Sequence, residues 1–188
     1  MKKFNLGLVI GMIIGTLYYA IFQYDSERLL TYLAVIPVVG APLLLNKTKF
    51  KLNEQEMCCY YVFVFMAYFL GCVVNLYNMT WWYDIFVHFI SGIFTFMVGL
   101  FILDKFNVDK DNFCFKMFFS IGVVALIALL WELFEFGVDS LLGMNLQHNK
   151  DTGVNDTMVD MLVAFIGGIL SIGGCYVIKR ENWIVGDK

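Results

Sequence analysis

Six stretches of this chain, 4–22, 29–45, 57–77, 82–103, 113–138 and 157–178, are long and apolar enough to cross a bilayer, which takes about 20 residues each. Backbone polar groups inside hydrocarbon must be satisfied within the segment, so continuous apolar runs of this kind fold as helices. The expected fold class is all-α: a polytopic membrane helical bundle of about six transmembrane helices, forming a single transmembrane domain over residues 1–188. A composition of 60% hydrophobic and 15% charged residues agrees, being far from that of soluble domains. The connections are too short for a soluble domain. The first stretch follows Met1-Lys2-Lys3 but lacks a small-x-small cleavage site, so it reads as a retained span.

Basic residues orient the bundle. Lys2 and Lys3 precede the first span, Lys47, Lys49 and Lys51 separate the second from the third, and Lys105, Lys110 and Lys116 separate the fourth from the fifth. Lys179, Arg180 and Lys188 follow the sixth, leaving Arg28 and Lys150 on the other side. Both termini are therefore expected in the cytoplasm, with the opposite ends of the helices facing outward. A net charge of −3 offers no basic surface, so no nucleic-acid partner is expected.

Small residues mark the packing seams. Gly7, Gly11 and Gly15 make a doubled GxxxG in the first span, and Gly167, Gly168, Ser171, Gly173 and Gly174 crowd the last; such faces let helices approach closely, within one chain or as a homo-oligomer. Pro37 and Pro42 suggest a kink or a short re-entrant break in the second stretch. Trp81 and Trp82, with Tyr77 and Tyr83, look like an interfacial belt. Cys58, Cys59, Cys72, Cys114 and Cys175 form no CxxC pair and read as small buried hydrophobes.

Against this background the segment WELFEFGVD, 131–139, is costly. A charged carboxylate at mid-depth costs roughly 2.5–3.5 kcal/mol on insertion scales, yet Glu132, Glu135 and Asp139 stand at i, i+3 and i+7 on one helix face. Asp84 and His88 share a face of the fourth span, continued by Ser91 or Gly92, Thr95 and Gly99. Asp156 and Asp160 share a face of the sixth. At ~1.5 Å per residue, His88, Glu132 and Asp160 each lie about one to two turns from the outer end of their span. Acids gathered in a low-dielectric site must share protons, pair with cations or bind metal. Cationic partners are scarce on this side, and a divalent ion neutralises two charges while accepting carboxylate and imidazole ligands. Asp84, His88, Glu132 and Glu135 are the expected ligands of a divalent metal ion, and Glu135 and Asp160 the expected catalytic carboxylates. Asp139, Gln147, Asp151 and Asp156 would line the mouth, with the 139–156 loop as a lid. Blander roles exist for several of these: Asp84 could orient His88, Asp156 could cap the sixth helix, and His148 suits a loop.

The set W-Y-D-x-x-x-H-F-x-x-G from Trp82, W-E-x-x-E-F-x-x-D from Trp131 and Q-x-x-x-D-T-x-x-x-D-x-x-x-D from Gln147 resembles the YjdF-like family of bacterial inner-membrane proteins, over about residues 60–178. A fainter similarity, in the D-x-x-x-H and acidic layout, points to VanZ-like membrane proteins. The resemblance implies a multi-pass protein of the bacterial cytoplasmic membrane and a site, but no particular reaction. One departure stands out: the family pattern implies a further acid or Asn one turn after Asp160, where this chain has Ala164.

Three functions compete. A metal-dependent hydrolase or transferase would act on a membrane lipid or other amphiphilic small molecule, the metal activating water and a nearby carboxylate taking its proton. A proton- or cation-coupled transporter would need polar residues through the inner halves of spans four to six, where Phe, Met, Val, Ile and Gly dominate. A non-catalytic binding or sensor protein would use the same acids to hold a ligand. The HExxH, GxSxG and P-loop signatures are absent from the sequence.

Overall fold

A computed structural model describes residues 1–25, 28–108, 112–144, 146–147 and 153–185, with side chains to residue 177 in the last helix. All regular structure among them is helical: α1 (Lys2–Phe22), α2 (Leu29–Leu33), α3 (Val35–Leu45), α4 (Glu54–Val64) continuing as a π-helical segment (Phe65–Val73), α5 (Leu76–Met79), α6 (Tyr83–Lys105), α7 (Phe113–Leu142) and α8 (Asn155–Val185). Five helices are long and apolar enough to cross a membrane: α1, α4 with its π segment, α6, α7 and α8. The sixth expected span, 29–45, is broken into α2 and α3. At ~1.5 Å per residue it covers about 25 Å, short of a ~30 Å hydrocarbon core. The chain forms two compact units, Met1–Val87 and His88–Lys188.

In the first unit, α2 and α3 return the chain to the end where α1 begins. Lys2 Nζ stands 4.0 Å from Glu54 Oε1 and Asn5 Nδ2 donates to Glu54 O at 3.3 Å, so the starts of α1 and α4 lie together. α4 opens with a capping box in which the Asn53 side chain accepts from Gln55 N and Glu56 N while Glu56 reaches back to Asn53 N, satisfying donors a helix start leaves orphaned. At the other end the Arg28 guanidinium donates to the carbonyls of Cys72 and Val73, the negative end of the π segment. Met12, Val35, Val39, Tyr61 and Val64 form the core.

The two prolines explain the break and its repair. Pro37 lies in the first turn of α3, where a missing N–H is tolerated, and Ala34, still right-handed at φ −67° and ψ −13°, joins α2 to α3. Pro42 lies inside α3 and cannot donate to the carbonyl four residues back, that of Val38. The Tyr60 hydroxyl donates to Val38 O instead, at 2.6 Å. Tyr61, Tyr68 and Tyr83 likewise donate to Val39 O, Thr31 O and Met66 O. Tyr83 is thus a buried strut, 5% exposed, and leaves the interfacial belt to Trp81 and Trp82, at 84% and 48%.

In the second unit α7 starts with the Asn112 side chain accepting from Phe115 N at 3.1 Å and stops at Gly143, whose φ of 69° is the left-handed conformation of a helix C-terminal glycine. Phe96, Met117 and Val124 form its core. A Cβ on Gly99 would come within 2.7 Å of the Ser120 backbone, so α6 and α7 also pack through a glycine. Across both units the outward surface is apolar, with Phe118 and Leu44 each 79% exposed, as a lipid solvent requires. Cys59 and Cys114 are exposed on this surface and Cys58, Cys72 and Cys175 are half-buried; the expectation of buried thiols fails because a thiol is apolar enough to face lipid.

Replacing Tyr60 by Phe should cost about 1 kcal/mol, the scale of a hydrogen bond between membrane helices, measured by unfolding in mixed micelles. In a Pro42→Ala background, which restores the missing N–H, the same change should cost clearly less. Equal cost in both backgrounds would contradict the carbonyl-rescue account.

Candidate functional site

Two glycines determine how closely α6 and α8 approach. A Cβ on Gly92 would collide with the carbonyl of Ala164, and one on Gly167 with the carbonyl of Phe89. Backbone therefore meets backbone at this crossing, as at small-residue seams in membranes. Ala164 is 2% exposed, and its position at the crossing gives a steric reason for a small residue where the family pattern implies an acid or Asn. Thr95 keeps this face of α6 apolar in effect by returning its hydroxyl to Ser91 O at 2.8 Å, four residues back.

Toward the start of each helix from the crossing lie Asp84 and His88 of α6 and Asp160 of α8. The unit boundary falls inside α6, which is one continuous helix, so Asp84 and His88 project from adjacent turns of the same rod. A ligand atom from each of Asp84, His88 and Asp160 lies within 4.8 Å of the other two. His88 Nε2 and Asp160 Oδ2 are 3.9 Å apart, with side chains 12% and 5% exposed. That separation exceeds a hydrogen bond, which spans about 2.7–3.2 Å. Around an ion with bonds of ~2.1 Å, tetrahedral ligand atoms stand about 3.4 Å apart. The group is thus open by about 1 Å, within reach of small side-chain rotations.

The acids of α7 do other things. Glu132 is 4% exposed, and Gln147 Nε2 donates to its carbonyl at 3.2 Å, lies 3.5 Å from its Oε2 and donates to Thr157 Oγ1 of α8 at 3.2 Å. Gln147 is held there because Asp139 accepts from Leu146 N at 2.7 Å and from Gln147 N at 3.0 Å, folding the segment after Gly143 back onto α7. Glu135 Oε1 accepts from Trp131 Nε1 at 2.8 Å, one turn earlier on the same helix. Glu132 and Glu135 stand outside the Asp84–His88–Asp160 group. Asp156 falls in the first turn of α8, one residue inside the helix instead of at its cap, where its charge suits the positive end. Asp151 and His148 lie outside the described residues.

The donor set is one imidazole and two carboxylates, an oxygen-rich set that suits a divalent ion and leaves coordination positions open. Thr157 and the Gly92–Gly167 pairing had only generic signals in the sequence: a hydroxyl at a helix start, and glycines among many.

Described residues that are all helical in their regular structure, with five helices long and apolar enough to cross a membrane and a buried Asp/His/Asp group, define a membrane protein. It belongs to the family described as predicted membrane protein (DUF2238), whose model matches residues 4–181. Neither the curated proteins nor the solved structures contain a match.

Gly167→Ala should destabilise the protein by about 1–3 kcal/mol, the range for overpacking, because the Phe89 carbonyl cannot yield. Gly174→Ala on the same helix, where a Cβ meets nothing within 4 Å, should cost nothing. Unfolding in mixed micelles checks both, and equal effects would refute the tight crossing.

Proposed function

We propose that this protein is a membrane-embedded, divalent-metal-dependent enzyme acting by hydrolysis or group transfer on an amphiphilic or lipid-linked substrate. The observation that carries the reading is the convergence of Asp84, His88 and Asp160 ligand atoms within 4.8 Å. These three residues would hold the ion, whose chemistry when bound is to polarise a substrate oxygen and supply a nucleophilic water. Asp160 then serves as ligand, and the proton-accepting role falls to a carboxylate of α7, Glu132 or Glu135. Asp139 accepts from the amides of Leu146 and Gln147 and so sets the position of Gln147. Asp156 belongs to the same mouth.

The transport reading is less well supported, because beyond the site the second unit closes with Phe96, Met117 and Val124. That arrangement suits a cup open at one end. The distribution of Lys and Arg supports cytoplasmic termini in a bacterial plasma membrane, with the cup opening outward. An even number of crossings is then required, and α2 with α3 would supply the sixth by thinning the bilayer locally. The YjdF-like resemblance fits this picture as the finer family reading.

Purified protein reconstituted with Mn²⁺ or Zn²⁺ should retain about one ion per chain after desalting, as a three-ligand site does. His88→Ala and Asp160→Asn should each abolish retention, with Glu135→Gln retaining it. Full retention in both His88→Ala and Asp160→Asn would sink the assignment.

A further inference from the structure

Of the three side chains in the cation group, Asp84 lies farthest from the glycine crossing. Gly92 follows His88 by one turn of α6 and Asp84 by two. Asp84 also falls in the first turn of the helix, where few backbone bonds hold the chain. Its neighbour Tyr83 adds what the backbone lacks there. The Tyr83 side chain is buried and its hydroxyl donates to Met66 O at 2.9 Å, a carbonyl of the π-helical segment Phe65–Val73. Tyr77 packs edge-on against the Tyr83 ring at 5.6 Å, in space that a Cβ on Gly71 would contest. The π segment is itself anchored, since Arg28 donates to the carbonyls of Cys72 and Val73 at its end.

We infer that Tyr83 is a positioning residue: tied to the π segment, it fixes the rotation of the first turn of α6 and so the place of Asp84 beside His88. The inference rests on the cation reading proposed above and names what sets one of its ligands. Side-chain atoms lie about 5–6 Å from a helix axis, so turning the first turn by roughly 10° carries the Asp84 carboxylate about 1 Å. A ligand constellation tolerates about 0.5 Å of misplacement. Tyrosine suits the task, because its hydroxyl stands at the end of a rigid ring with only two side-chain torsions. The carbonyl it reaches can accept a second bond without leaving its own ladder, having two lone pairs. That ladder is wide here: Val74 N donates to Phe69 O, five residues back, at 2.8 Å. Such turns recur at functional sites, and this one acts on Asp84 through the Tyr83 hydroxyl.

The test uses the full chain in phosphatidylcholine nanodiscs with Mn²⁺ as the probe. Tyr83→Phe is compared with Tyr60→Phe, which loses the same kind of bond elsewhere in the first unit. Tyr83→Phe should weaken Mn²⁺ binding about tenfold, the scale for losing a group that orients a ligand, with the nitrogen signal of His88 in the bound-ion spectrum kept. Tyr60→Phe should leave the affinity unchanged. Replacing Tyr83 by 4-aminophenylalanine, whose amine can donate in place of the hydroxyl, should restore it. In metal-free protein, hydrogen exchange at the amides of Val87 and His88 should quicken about fivefold in Tyr83→Phe alone, the scale of one hydrogen bond. Native affinity in Tyr83→Phe, an equal loss in Tyr60→Phe, or unchanged exchange would overturn the inference and leave the cation site standing. Native protein that holds no Mn²⁺ would overturn the cation reading and this role with it, so the native sample tells the two failures apart.

Discussion

The backbone contact of α6 with α8 through Gly92 and Gly167 is the constraint on which the site depends. His88 precedes Gly92 by one turn on α6 and Asp160 precedes Ala164 by one turn on α8, so the closeness of the helices sets the gap between imidazole and carboxylate. One methyl at either glycine would strike a carbonyl, and carbonyls of a helix cannot rotate away without breaking its hydrogen-bond ladder. Separation of the rods by even 1 Å would carry His88 Nε2 and Asp160 Oδ2 beyond their 3.9 Å. Packing and chemistry are therefore one design here: small residues bring the backbones together, and the polar residues flanking them inherit the spacing.

Around this crossing α8 serves two polar systems on two of its faces. Asp160, Ala164 and Gly167 face α6, whereas Thr157 and Gly168 face the side of Gln147 and Val124. The α6 side gathers imidazole and carboxylates, the chemistry of a cation site. The α7 side gathers a carboxylate, an amide and a hydroxyl, joined through Gln147. This division gives the acids of the second unit separate duties. Asp160 stands with Asp84 and His88, Glu132 with the Gln147 amide, Asp139 with the amides of Leu146 and Gln147, and Glu135 with Trp131.

Much of this was legible in the sequence because membrane helices announce themselves by length and apolarity. The ends of α1, α6 and α7 fall within about four residues of the stretches read from hydropathy alone, the ordinary scatter of helix boundaries. The sharing of a face by Asp84 with His88, and by Asp156 with Asp160, followed from helical spacing. Spacing places residues on a face but cannot say which neighbour that face meets. That is why Glu132 and Glu135 read as companions of His88, whereas Gln147 and Trp131 engage them. The Gln147 contact depends on a reversal of the chain after Gly143, with Asp139 accepting two successive amides, and such a turn has no periodic signature. The break at Ala34 was half legible: Pro37 and Pro42 signalled it, but the repair by Tyr60 joins residues 22 apart. The π segment Phe65–Val73 left no mark that hydropathy could read.

The central claim is that an imidazole from α6 and a carboxylate from α8 close on one ion. Electron spin-echo spectroscopy of the Mn²⁺-loaded protein tests it most directly, because a directly bound imidazole nitrogen modulates the echo. That modulation should be present in the native protein, disappear in His88→Ala and persist in Glu135→Gln. A native spectrum with no nitrogen coupling at full metal loading would place the ion elsewhere and contradict the account.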